Sequence, residues 1–81
     1  MNYKFSKHVL ERIKEKNIKK EWIFETINNP DEIIEMSDTE HRYYKVIKDF
    51  GDRVLKVVLN PESNIIITVY FDRGKSYGNK I

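Results

Sequence analysis

The sequence predicts an α+β domain in which two N-terminal helices pack on one face of a four-stranded antiparallel sheet. Three observations carry that expectation. Apolar residues recur at helical spacing as far as Asn28 and then change to a period of two after Pro30. The alternating stretches are rich in Tyr, Val and Ile and are separated by short turn sequences. The chain has 81 residues, enough for one domain; it is read as a unit over 1–81, with a core at 5–72 and a flexible tail at 74–81.

The first helix should begin at Ser6, which can N-cap, with Phe5 and Leu10 at the spacing of a hydrophobic staple. At about 100° per residue, Val9, Leu10 and Ile13 form one apolar stripe. His8 and Arg12 are four apart and lie together beside it. Lys14 and Lys16 suit the negative end of the helix dipole, and Asn17 can close the helix in the left-handed conformation. A second helix is expected from Lys19 to Asn28, with Trp22, Ile23, Thr26 and Ile27 inward and Phe24 at the margin. Pro30 stops it, because proline has no N–H and restricts the residue before it.

Four strands follow. Glu32–Met36 reads as an edge, and Arg42–Lys48 pairs with Arg53–Leu59 through Phe50-Gly51-Asp52. After the turn at Asn60–Asn64, Ile65–Phe71 is the most apolar strand and is expected at the centre. Alternation directs Leu55, Val57 and Leu59 to the helices and Lys56 and Val58 to the open face. By the same rule Ile65, Ile67, Val69 and Phe71 face the helices, while Ile66, Thr68 and Tyr70 point away. The second strand reads both ways: Arg42, Tyr44 and Val46 share one face, and Tyr43, Lys45 and Ile47 share the other.

Charge is segregated. The net +2 hides +5 over residues 1–20, −7 over 21–40, +3 over 41–60 and +1 over 61–81, a polarity that suits a charged partner. The absence of Cys excludes disulfides, Cys-based zinc sites and a thiol nucleophile. With two His, and with Asp31, Glu32 and Glu35 out of EF-hand order, no metal or cofactor is expected. The longest apolar run is Ile65–Ile67, so no membrane partner is expected, and without a secretory-type opening the expected location is cytoplasmic.

Few constellations can carry chemistry. His8 can move a proton near neutral pH, and Arg12 offers a planar fork to the same phosphodiester. The open face offers Lys56, Thr68 and Tyr70, with either Arg42 and Tyr44 or Tyr43 and Lys45; bases among aromatics suit RNA. Arg73 and Lys75, in Arg73-Gly74-Lys75-Ser76-Tyr77, can clamp a phosphate, though a frayed end gives the same pattern. The acids of 31–40 read as a solvated edge that discourages strand pairing, or as a surface for a basic partner.

Phe5-Ser6-x-His8-x-x-x-Arg12, then Ile18, Trp22–Ile27, Asn29-Pro30 and the stretch from Val54 to Tyr70 resemble a family of small bacterial domains of unknown function. That family is grouped with the RelE-like toxins and the barnase–EndoU–colicin–RelE nuclease fold. The resemblance covers about residues 5–72 and implies that the two helices pack on a curved four-stranded antiparallel sheet, with RNA cleavage on its open face, near the first helix and last strand. It maps the family's helix His and Arg onto His8 and Arg12, and its last-strand Thr and Tyr onto Thr68 and Tyr70. The chain departs from stronger RelE-type ribonucleases at its end, where their cluster of Arg, His and Tyr is reduced to Arg73, Lys75 and Tyr77.

The expectation is therefore a metal-independent endoribonuclease, the toxin of a type II toxin–antitoxin pair, whose partners are RNA and a cognate antitoxin. Cleavage proceeds by attack of the 2′-hydroxyl, with His8 as general acid or base. Arg12, Arg42 or Lys56 stabilises the phosphorane-like state, and Thr68 and Tyr70 orient phosphate or base. Tyr44, Arg73 and Lys75 complete the RNA-binding set. The alternative is a non-catalytic RNA- or protein-binding module on the same fold.

Overall fold

Residues 3–75 are described by the computed structural model. Their order is β1 (Lys4–Phe5), α1 (Lys7–Lys16), α2 (Lys20–Asn28), β2 (Glu32–Ser37), β3 (Glu40–Ile47), a 3-10 turn (Lys48–Phe50), β4 (Arg53–Asn60) and β5 (Ile65–Phe71). The part of the expected tail at 76–81, with Ser76 and Tyr77, lies outside the described residues.

Local signals set the helix ends. The Ser6 hydroxyl accepts the Val9 N–H at 3.1 Å and donates to the Ile67 carbonyl of β5 at 3.3 Å. One side chain thus caps α1 and ties it to the sheet. Asn17 ends α1 at φ 54°, the left-handed conformation that asparagine tolerates. In α2 the buried Thr26 hydroxyl donates to the Trp22 carbonyl at 2.7 Å, so it is inward-facing yet satisfied. Gly51 at φ 67° takes the turn between β3 and β4. Asn60 Oδ1 accepts the Glu62 N–H at 2.9 Å in the turn between β4 and β5.

The sheet runs β1-β5-β4-β3-β2. The four expected strands are antiparallel neighbours, and β2 is an edge as expected. The fifth strand, β1, was not expected: it pairs parallel to β5 through Lys4 opposite Ile65 and Phe5 opposite Ile66, making the sheet mixed. Two residues are too few to show a period. A second correction concerns the centre. That position belongs to β4, whose residues from Val54 to Leu59 are all buried, and not to β5. The outer edge of β5 is paired only at its first two residues, and α1 packs along the strand.

A bulge corrects the facing of β5. Val58 opposes Thr68 and Leu59 opposes Ile66, which leaves Ile67 without a cross-strand partner. Ile66 is therefore fully buried, while Ile65 and Ile67, expected inward, are 37% and 39% exposed. Beyond the bulge Val69 and Phe71 turn to the helices as expected. Leu10, expected on the apolar stripe, is 46% exposed. Its staple partner Phe5 packs instead on Phe24, ring centres 5.8 Å apart.

The core lies between the helices and the sheet. Val9 and Ile18 meet Trp22, Ile23 and Ile27 of α2, and beneath them lie Leu55, Val57, Leu59, Ile66 and Val69. Phe50 stacks on Phe71 at 4.8 Å and closes the core under Trp22. Among the described residues no helix is long and apolar enough to cross a membrane.

Candidate functional site

The two readings of β3 resolve in favour of Arg42, Tyr44 and Val46 on the uncovered face. Tyr43 and Ile47 pack against the core, and Lys45 Nζ donates to the Asn29 carbonyl at the end of α2, 3.0 Å away. On the uncovered face the register aligns Tyr44, Lys56 and Tyr70 in a row across β3, β4 and β5. Arg42, Val58 and Thr68 form the next row. Directly opposed side chains of neighbouring strands stand about 4.5–5.5 Å apart, so each row is a contact set.

Lys56 is only 9% exposed although no helix among the described residues covers it. Its stem lies on the same face as Val54 and Val58, which are also buried. The ammonium donates to the Tyr70 hydroxyl at 2.9 Å. It also stands 5.1 Å from the Tyr70 ring centre and 5.9 Å from that of Tyr44. Among the described residues no carboxylate pairs with it. A largely desolvated cation held by a phenol and two ring faces is stabilised, yet keeps its charge available to an anion that reaches it.

Two further cations flank the row. Because α1 lies along β5, the Arg12 guanidinium comes to 5.9 Å from the Tyr70 ring centre. After β5 the chain turns at Asp72, whose carboxylate accepts the Gly74 N–H at 2.9 Å. Lys75 then reaches back, its ammonium 4.6 Å from the Tyr44 ring centre and 3.2 Å from Glu32 Oε1. Each tyrosine ring thus has two cations against it, with Lys56 shared.

Arg42 is differently engaged. Its Nε and Nη2 both lie 2.9 Å from Glu40 Oε2. The hydrogen bond to Glu40 raises its already high pKa, so it is a permanent cation tied to a neighbour on its own strand. Thr68 is half-buried at the far end of the second row, across Val58 from Arg42. His8 is exposed one helical turn before Arg12 and, among the described residues, has no hydrogen-bond or ion-pair partner. Arg73 is exposed and stands away from the row, at the rim of a cavity at the β4–β5 end.

The structure therefore gathers Arg12, Tyr44, Lys56, Tyr70 and Lys75 into one patch, borders it with Arg42 and Thr68, and leaves His8 on its helical flank. Sequence reasoning missed the carboxylates that organise it. Glu40 is two residues before Arg42 on one alternating face, a legible signal. Glu32 meets Lys75 from 43 residues away, for which no local signal exists. The acid stretch also braces the sheet edge, since Asp31 Oδ2 accepts the Val46 N–H at 2.8 Å.

The family model described as a domain of unknown function, DUF4258, matches residues 5–71. The chain belongs to that family. The matched span holds His8, Arg12, Arg42, Tyr44, Lys56, Thr68 and Tyr70, whereas Arg73 and Lys75 follow it. No curated protein and no solved structure matches the chain.

Proposed function

We propose that the uncovered face of the sheet binds RNA, and that the chain is a RelE-like, metal-independent endoribonuclease acting in the cytoplasm as the toxin of a type II toxin–antitoxin pair. The observation that carries the reading is the Tyr44–Lys56–Tyr70 row with Arg12 and Lys75 at its ends. Aromatic faces stack on unpaired bases and fixed cations take phosphates; here both occur in one contact set, with Tyr70 half-buried and Tyr44, 3% exposed, reached by a base once Lys75 leaves its ring.

In this reading the 2′-hydroxyl attacks the adjacent phosphorus and the bond to the 5′-oxygen of the next nucleotide breaks. The products are a 2′,3′-cyclic phosphate and a 5′-hydroxyl end. One proton leaves the attacking hydroxyl and one arrives on the departing oxygen. His8 is the general acid or base for one of these transfers. Arg12 and Lys56 stabilise the added negative charge better than Arg42, which Glu40 already holds. Thr68 and Tyr70 orient the phosphate.

A second reading, binding without cleavage, is favoured by His8 itself, whose exposed ring no neighbour orients among the described residues. Purified protein incubated with total RNA in EDTA separates the two. Cleavage that falls about 10²–10⁴-fold in His8→Ala supports the enzyme. A salt-sensitive gel shift with intact RNA supports the binding module. Neither cleavage nor shift would sink both. A small acidic protein encoded next to this chain and able to suppress its toxicity would support the toxin assignment.

A further inference from the structure

The cavity at the end of β4 and β5 has a volume of about 470 Å³ and carries two arginines, Arg53 and Arg73, that the tyrosine–lysine row does not use. Arg53, Arg73 and Lys75 stand in its wall with Asp52 and Asp72, and Val54 from the open face and Phe71 from the helix side complete the lining, so the cavity straddles the strand ends. The Arg53 guanidinium lies 5.3 Å from the Phe50 ring centre. Neither Arg53 nor Arg73 has a carboxylate partner among the described residues. Asp72 is turned into its own loop by the Gly74 N–H, 2.9 Å away. Two guanidinium forks in one cavity wall, without a carboxylate partner among the described residues, offer the planar donors that a phosphate takes.

The cavity is continuous with the row by two routes. Val54 is the next residue along the open face of β4 from Lys56, about 7 Å away at the strand repeat. Lys75 belongs to the cavity wall and also reaches the Tyr44 ring at 4.6 Å. We infer that a single RNA strand lying on Tyr44 and Tyr70 continues into this cavity, where Arg53 and Arg73 hold the phosphate of the following nucleotide. The ligand is then unpaired RNA of at least three nucleotides, two on the tyrosines and one beyond. The inference rests on the reading of the row as an RNA site.

Fluorescence anisotropy with labelled 2′-O-methyl oligouridylates of increasing length tests it, because these probes cannot undergo transesterification. The wild-type protein should bind more tightly as the probe grows past two nucleotides. The double variant Arg53→Ala with Arg73→Ala should lose that gain. Its dependence of log K on log salt should become shallower by about 0.7, the loss of one phosphate contact on a single strand. Arg73→Ala alone, in an exposed turn, should show about half that change and carries the test if the double variant does not fold. Wild-type affinity and salt slope in both arginine variants would overturn the inference and leave the row untouched. Tyr44→Ala with Tyr70→Ala separates the two claims: normal binding in that variant overturns the reading of the row. Failure of the wild-type protein to bind any probe overturns both.

Discussion

On β4, Leu55, Val57 and Leu59 are buried beneath the helices, while Val54, Lys56 and Val58 are buried on the opposite face with no helix of the described residues above them. The two faces reach similar burial by different means. One is covered by whole elements whose contacts are apolar: Val9 and Ile13 from α1, Trp22, Ile23 and Ile27 from α2. The other is covered by long amphipathic side chains of the sheet itself, Tyr44 and Tyr70, and by Lys75 from the loop after it. Among the described residues this cover is one side chain thick and carries charge, so a ligand can rearrange it without unfolding the domain. Stability should therefore depend on one face and recognition on the other.

Substitutions chosen by face can break or sharpen this contrast. Ile23→Ala on the helix side removes a fully buried side chain and should cost about 2–5 kcal/mol. For a domain of this size each kcal/mol corresponds to roughly 4–8 °C, so a thermal melt should fall by at least about 8 °C. A loss near zero would mean that the helices do not carry the core. Lys56→Met, at the centre of the other face, keeps the stem and deletes the charge. Its stability should change by less than about 1.5 kcal/mol, as for a volume-conserving replacement. The salt dependence of oligonucleotide binding should nevertheless become shallower by about 0.7. A variant that unfolds while retaining that slope would reverse the assignment of the two faces.

The smallest effect is a pH dependence on the helix side. Burial chiefly, then Tyr3 and Glu35, raises the pKa of Tyr43 above its ordinary value of 10.0. The folded state disfavours the ionised phenol. The contribution is therefore complete below the unfolded pKa and is lost as pH rises through the higher folded value. Urea melts of the wild-type protein should show stability falling above about pH 10, and Tyr43→Phe should flatten that decline. An unchanged alkaline slope would remove Tyr43 as its source.

The same contrast explains what could be read from the chain. Ser6, Asn17 and Pro30 act within a turn of themselves, so both helices were legible to within a residue or two. Alternation on β4 sorted Leu55, Val57 and Leu59 from Lys56 and Val58 correctly, because an inserted charge marks the phase. Three consecutive isoleucines at 65–67 mark none, and the bulge reversed the facing of all three. The run Arg42-Tyr43-Tyr44-Lys45 is amphipathic at every position, so only the register with β4 resolved its faces. Arg12, Tyr44, Lys56, Tyr70 and Lys75 could be named from charge and facing. Their mutual contacts could not, since Lys75 arrives by a loop and Glu32 holds it across 43 residues.

Methyl NMR during titration with a 2′-O-methyl hexauridylate compares the two faces on the same strand. The account predicts that the methyl signals of Val54, Val58 and Thr68 shift with added probe, while those of Leu55, Val57 and Ile23 stay in place. Shifts confined to the helix-covered methyls, or none at saturating probe, would contradict the assignment of RNA recognition to the uncovered face.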